Sequence, residues 1–425
     1  MLILYNILLT ILSPLWVPWM LFRAWRRKEQ PNWKERTGDY KIEPRKDGKR
    51  IWIHAVSVGE VVAANPILRE IRSQLPDYEI VLTTTTSSGH KTAEETAKGL
   101  YDHLFYFPID INRFMASAMQ RVQPAAIGIM ETELWPNFLW WAKVFDTRTL
   151  LINGRISDRS FKRSKSLKAF YKMMLKDVDR CLMQTDADAE RINALGAKTT
   201  EVFGNAKFDQ AAKVQNADKA KWVRELKLPS DKPIVVIGST RGEEEEVFIL
   251  NALQEVGLDR ISVVHAPRHI ERVPELVRLA RERGIPASLR SKHEGGNYII
   301  LDTYGELDQV YCVADIVVIG GGFGNFGGQN LIQPLAQGKP VVHGYHMQNF
   351  REIAEQADAA GAAMVCMVPA EISENIGWLL DDAAKRERMG ILARELVVKN
   401  LGASKRYAEA IAQEVERFRD SIKSP

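Results

Sequence analysis

A chain of 425 residues exceeds one ordinary globular core, and two domains of somewhat under about 200 residues each, with extras, account for it. With 45% hydrophobic and 26% charged residues, and no low-complexity stretch or short-period repeat, the composition is that of a folded protein and excludes a disordered or fibrous one. The formal net charge of +4 comes from dispersed basic residues, which argues against nucleic acid as a partner and leaves anionic substrates and surfaces open.

The first 22 residues, "MLILYNILLTILSPLWVPWMLF", carry no charged side chain, and "RAWRRK" follows at once. A cleavable signal has basic residues before its apolar run and a small-residue cleavage site after it, and neither is present. Residues 1–28 therefore read as a membrane-anchor helix with a basic flank. Arg23, Arg26, Arg27 and Lys28 on its C-terminal side leave the remaining chain in the cytoplasm under the positive-inside rule. Cys181, Cys312 and Cys366 form no CxxC pair, which speaks against a disulfide framework or a zinc site and agrees with a reducing compartment. Pro14 and Pro18 would kink a span, and Trp16, Trp19 and Trp25 suit an interface, so spanning and lying in the surface both stay open, as does a buried helix.

From residue 50 onward short β-branched runs alternate with amphipathic ones. "RIWIHA", "YEIVLTTTT", "HLFYFPI", "AAIGIM", "TRTLLING" and "RCLMQT" are the first strand series, and residues 29–207 form an N-terminal Rossmann-like domain. The polar, Lys-rich stretch 208–232 reads as an interdomain linker. "KPIVVIGST", "RISVVHA", "NYIIL", "DIVVIGGG", "KPVVHG" and "AAMVCMV" then build a second such domain over 233–402, and 403–425 is a helix able to pack on either. In parallel open sheets ligands bind beyond the carboxyl ends of strands, so the loops after these strands carry the functional information. The expected fold is α/β of the GT-B type, two doubly wound domains facing across a cleft, with acceptor on the first and nucleotide donor on the second.

The loops "SVGE", "METELWPN", "GNAKFD", "HAPRH", "YGEL" and the glycine loop before "KPVVHGYHMQNF" occur here in one order. Together they resemble the bacterial 3-deoxy-D-manno-octulosonic acid (Kdo) transferases over nearly the whole chain. The resemblance implies a metal-independent, inverting enzyme with no cofactor. It would work at the cytoplasmic face of the inner membrane and move Kdo from a CMP-Kdo donor to the lipid A precursor.

By position in that family Glu60 is the general base that takes the proton of the attacking acceptor hydroxyl. Standing at a helix start, it is expected to be ionised, its pKa lowered by the helix field; the alternative is an acid that only complements the dipole. Glu131 resembles the second acid of the cleft and would orient acceptor or base, whereas Glu133 reads as a helix-start residue. Arg155, Arg159 and Lys207 are the cations expected near sugar carboxylate or lipid phosphate, or else surface charges. On the donor side, Gly320, Gly321, Gly322 and Gly324 of "GGGFGNFGGQN", with Gln329 and Asn330, would offer backbone N–H groups to the CMP phosphate. Ser239 and Thr240 would bond donor oxygens, and the family assigns Pro267 and Arg268 to the cytidine side. The run Glu243 to Glu246 reads as a solvated helix start. A metal reading of His265 and His269 fails for want of further ligands, and Asp186 of "TDAD" reads as an N-cap.

The donor side departs from the family pattern. His is usual at Gln329 and Glu at Gln333, where the acid recognises the ribose hydroxyls; Arg241 replaces a common His and Tyr304 a usual Met. Glutamine keeps hydrogen bonds to a diol but loses the charge-assisted ones. Two other readings therefore stay open: a divergent transferase of another nucleotide-activated acidic sugar, and a catalytically silent membrane-bound scaffold.

Overall fold

The computed structural model describes residues 1–15, 17, 18, 22, 32–45, 47–213, 217–229 and 231–423. Two compact units divide the chain, Met1–Asp209 with Asn400–Pro425 and Gln210–Lys399. Among the described residues each unit holds one seven-stranded sheet.

The first sheet consists of β1 (Arg50–His54), β2 (Glu79–Thr84), β3 (His103–Tyr106), β4 (Ala126–Met130), β5 (Arg148–Gly154), β6 (Arg180–Met183) and β7 (Thr200–Val202). Its order is β3-β2-β1-β4-β5-β6-β7, all parallel. β1 is buried along its whole length because helices cover both faces of a parallel sheet. Its side chains alternate, Ile51 and Ile53 entering one core and Trp52 the other.

The second sheet consists of β8 (Ile234–Thr240), β9 (Ser262–Pro267), β10 (Ser288–Leu289), β11 (Tyr298–Ile300), β12 (Ile316–Ile319), β13 (Val341–Gly344) and β14 (Ala363–Cys366). The order is β10-β11-β9-β8-β12-β13-β14, again parallel. β7 and β10 are absent from the strands expected above. They are only three and two residues long, carry no apolar run, and are drawn into the ladder by their neighbours β6 and β11.

The two units also take up the stretches that lay outside the two expected domains. The C-terminal helix Ala403–Lys423 belongs to the first unit, where Tyr407, Ala408, Ile411 and Val415 share a core with Ile51, Ile53, Ile67 and Leu68. Asp209 fixes its start, its carboxylate accepting the N–H groups of Gly402 at 2.6 Å and Ser404 at 2.7 Å. The stretch read as a linker contains the helix Lys219–Glu225, whose buried Trp222 ties it to the second unit.

At the other end of the chain a ten-residue helix runs over Leu2–Ile11. Among the described residues no helix is long and apolar enough to cross a membrane. Trp16, Trp19, Arg23, Trp25, Arg26, Arg27 and Lys28, on which the anchor reading also drew, lie outside the described residues.

Candidate functional site

In the first sheet the chain leaves β1 toward β2 on one side and later returns through β4 on the other. The crevice beyond the carboxyl ends of β1 and β4 is thus the topological switch point. Glu60 lies there, in the first turn of the helix Val58–Gln74 that follows β1. Its Oε2 accepts the Val56 N–H at 2.9 Å and its Oε1 the Ser57 hydroxyl at 2.9 Å. The side chain therefore ties down its own helix start, as an acid complementing that terminus would.

Glu60 is only 6% exposed. Burial, then the Glu131 charge, then Glu133 push its pKa up to about 8, while the bonds from Val56 and Ser57 pull the other way. This corrects the expectation of a lowered pKa. Loss of water and a facing carboxylate outweigh the field of one helix terminus.

Glu131 directly follows β4 with a left-handed backbone, φ 54°, its N–H bonded to Ile152 O at 3.0 Å. A residue with a side chain pays about 1 kcal/mol or more to stand there, so the loop around it must hold it in place. The Lys207 ammonium lies 4.0 Å from Glu131 Oε1, and a Cβ placed on Gly59 would also stand 4.0 Å from that ammonium. Lys207 thus joins Glu60's helix start and Glu131 in one cluster. Its loop is pinned by Asn153 Oδ1, which accepts the Ala206 N–H at 3.0 Å, and by Asn400 Oδ1, which accepts that of Asn205 at 2.7 Å.

Arg155 is half-buried beyond β5, its charge acting on Asp188, and its carbonyl accepts the Thr132 hydroxyl. Arg159 stands exposed on the helix Asp158–Ser166. Glu133 does not start a helix; the next one is Pro136–Val144, whose first N–H groups, those of Asn137 and Phe138, are taken by Asp110 at 3.1 Å each. Nor is Asp186 an N-cap. Thr185 is, accepting the Asp188 N–H at 3.2 Å.

The second sheet has its switch point between β8 and β12. Ser239 sits in a register shift of β8 with a left-handed backbone, φ 61°. Thr240, expected to face donor, is instead fully buried, its hydroxyl 3.0 Å from His265 Nε2. The other ring nitrogen of His265 lies 2.6 Å from the Tyr298 hydroxyl, and burial pushes the imidazole pKa down to about 3. Pro267 is buried at the end of β9, while Arg268 is exposed and donates its N–H to Thr240 O at 2.9 Å.

Only half of the glutamate run is a solvated helix start: Glu243 and Glu244 are exposed in the first turn of the helix Glu243–Val256. Glu245 and Glu246 are fully buried, and Glu246 pairs with Arg272. Glu245 accepts the N–H groups of Arg241 at 2.7 Å, Gly321 at 2.8 Å and Phe323 at 3.1 Å. This corrects the reading of the glycine loop: N–H groups of its first turn bind an internal carboxylate. The glycines answer to packing as well, since a Cβ on Gly320 would stand 2.6 Å from the Thr240 Cα. The backbone of Gly322 lies against Gly344, Gly324 carries the loop onward beside Phe326, and Asn330 caps the next turn by accepting the Ile332 N–H at 2.9 Å. Gln329 is half-buried, and Gln333 donates to Asp308.

Sequence reasoning missed Asp110, Asn153 and Glu245. The Asn-Gly pair that ends β5 was the one local signal among them, because asparagine tolerates the left-handed φ of 50° that Asn153 adopts.

Two parallel α/β domains, each with its functional loops at a sheet switch point, define a GT-B-like glycosyltransferase fold. Acinetobacter baumannii MurG shares it at a TM-score of 0.57, with 12% identity over 86% of this chain and 99% of that one. Residues 31–210 match the family model described as 3-deoxy-D-manno-octulosonic-acid transferase (kdotransferase). The 3-deoxy-D-manno-octulosonic acid transferase of Chlamydophila psittaci is 32% identical over 83% of this chain and 82% of its own length. That of Bordetella pertussis is 32% identical over 85% of this chain and 86% of its own. The chain belongs to the Kdo transferase family and is a glycosyltransferase.

Proposed function

We propose that the protein transfers Kdo from CMP-Kdo to the lipid A precursor, with inversion and without a metal, Glu60 acting as the base. The observation that carries the reading is the buried Glu60 facing Glu131 at the first switch point, with a pKa raised to about 8. A carboxylate of that basicity is matched to proton transfer near neutral pH, where an ordinary one is too weak a base. The acceptor hydroxyl gives its proton to Glu60 as its oxygen bonds to the anomeric carbon of Kdo. The bond from that carbon to the CMP phosphate breaks, and CMP leaves with the electron pair.

Glu131 and Lys207 hold the acceptor hydroxyl in line, and Arg155 faces the anionic substituents. Arg159, exposed on its helix, serves the lipid phosphate. On the second unit Ser239, Arg268, Gln329, Asn330 and the outer turn of the glycine loop take the CMP moiety, and Gln333 with Asp308 meets the ribose. The buried Thr240 and Glu245 shape these loops from within. The uncharged N-terminal helix holds the enzyme at the cytoplasmic face of the inner membrane, its exposed Ile3, Leu4, Ile7, Leu8 and Ile11 against lipid.

A transfer assay with CMP-Kdo generated in situ, tetraacylated lipid A precursor and chelator tests the reading by product mass. One or more added Kdo masses support it. No product from the folded, membrane-bound protein refutes it and turns attention to the second reading, another nucleotide-activated acidic sugar, which the uncharged Gln329 and Gln333 favour.

A further inference from the structure

In the N-terminal helix, Tyr5, Asn6 and Thr10 interrupt an otherwise apolar run. Thr10 bonds its own helix, donating to Asn6 O at 2.8 Å. Tyr5 and Asn6 reach far along the chain instead. The Tyr5 hydroxyl donates to Asp110 Oδ2 at 2.9 Å, 105 residues away. Asn6 and Asn137, 131 residues apart, exchange two amide bonds of 2.9 Å each. Asn137 is fully buried, and its Nδ2 also donates to Asp110 O at 2.6 Å. A helix needed only for lipid attachment has no use for an amide pair directed into the domain, whose buried member, Asn137, is expensive to leave unpaired.

What these bonds hold is the far end of the acid loop. Glu131 and Thr132 pin its near end, through Ile152 O and Arg155 O. The far end is the start of the Pro136–Val144 helix, where Asn137 and Phe138 donate to Asp110. Glu131 and Glu133 lie between the two pins. We propose that the N-terminal helix is a positioning element of the acid loop, Tyr5 and Asn6 fixing Asp110 and Asn137 and, through them, Glu131 and Glu133. The inference rests on the reading that Glu131 serves the transfer reaction.

The test compares the full-length wild type, the double variant Tyr5→Phe/Asn6→Ala and Glu131→Gln, in detergent with CMP-Kdo and lipid A precursor. The measurements are kcat, donor KM, co-sedimentation with phosphatidylglycerol-containing vesicles, and the pH–rate profile. In the double variant kcat falls on the order of tenfold to a hundredfold, because a misplacement of about 1 Å suffices for that. Donor KM and vesicle binding stay at wild-type values. The groups facing Glu60 are the Val56 N–H, the Ser57 hydroxyl, Glu131 and Glu133, with Lys207 against Glu131. A loosened acid loop withdraws the two negative charges, so the acid limb of the profile moves to lower pH, which a general loss of folded protein would not do.

Wild-type kcat and profile in the double variant, with Glu131→Gln slowed and its acid limb moved to lower pH, overturn this inference alone. Full turnover by Glu131→Gln overturns the reading of the acid loop and this inference with it. Parallel loss of vesicle binding and kcat also overturns it, leaving the helix as an anchor only. Should the double variant not fold, Tyr5→Phe, which deletes one hydroxyl, carries the same comparison.

Discussion

Glu60 and Glu245 occupy the same local place in the two units: the third residue of the helix that follows the first strand at a switch point. Each turns its carboxylate back to the N–H of the residue before the N-cap, Val56 for Glu60 and Arg241 for Glu245. The difference lies across the switch point. Glu245 meets the N–H groups of Gly321 and Phe323 on the loop after β12, whereas Glu60 meets Glu131 on the loop after β4. Burial raises both pKa values, but donors offset the rise at Glu245 and a second acid reinforces it at Glu60. The same local geometry therefore holds a donor-bound carboxyl in one sheet and, in the other, the strongly shifted carboxyl proposed above as the base, decided by what the facing loop presents.

The largest effect that breaks the comparison is chemical. Glu60→Gln lowers kcat by about a thousandfold, the range of a lost general base, while CMP-Kdo binding measured by calorimetry stays close to wild type. Turnover within tenfold of wild type would remove Glu60 from the reaction. Glu245→Ala breaks the other side and reads out as stability. It leaves N–H groups, those of Arg241, Gly321 and Phe323 among them, without their acceptor and lowers the unfolding free energy by on the order of 3 kcal/mol, seen in denaturant melts together with a raised donor KM. Glu245→Gln, keeping one acceptor oxygen, falls between the two.

The pH dependence sharpens the contrast. Because folding raises the Glu60 pKa from 4.5 to about 8, its contribution to stability is fully present below about pH 4.5 and is lost as pH rises through about 8. Glu60→Gln therefore gains melting temperature over the wild type as pH increases across that window, and the gain levels off above it. A difference that stays flat from pH 4 to pH 9 would mean that Glu60 is not held in its neutral form. For the same reason wild-type turnover climbs with pH up to about 8, and Glu131→Gln shifts that limb downward.

The alternation of strands was legible because parallel strands covered on both faces are continuous apolar runs, as "RIWIH" and "IVVI" are. The places of Glu60, Glu131 and the glycine loop followed from it, since strand ends at a switch point carry ligands. Four consecutive glutamates do not reveal which turn inward, because the donors that claim Glu245 stand 76 and 78 residues further on. The sign of the Glu60 shift was hidden likewise: the helix field is local and readable, but the facing Glu131 is a tertiary neighbour. β7 and β10 escaped because a short edge strand needs no apolar pattern of its own.

The smallest expected effect concerns Gln333, where the family pattern has a glutamate. Restoring that acid alone would suggest tighter donor binding through charge-assisted bonds to the ribose. The structure argues the reverse, because Gln333 donates to Asp308, whose pKa burial already raises. In Gln333→Glu two carboxylates share the space of one bond, and one of them must take up a proton or move away. Gln333→Glu is expected to bind CMP about two- to fivefold more weakly, and Gln333→Glu/Asp308→Asn, which returns a donor to the pair, to recover wild-type affinity or better. Tighter binding by the single variant in calorimetry would mean that Asp308 takes no part, and that the switch point of the second sheet lacks an acid which Glu245, turned inward, cannot supply.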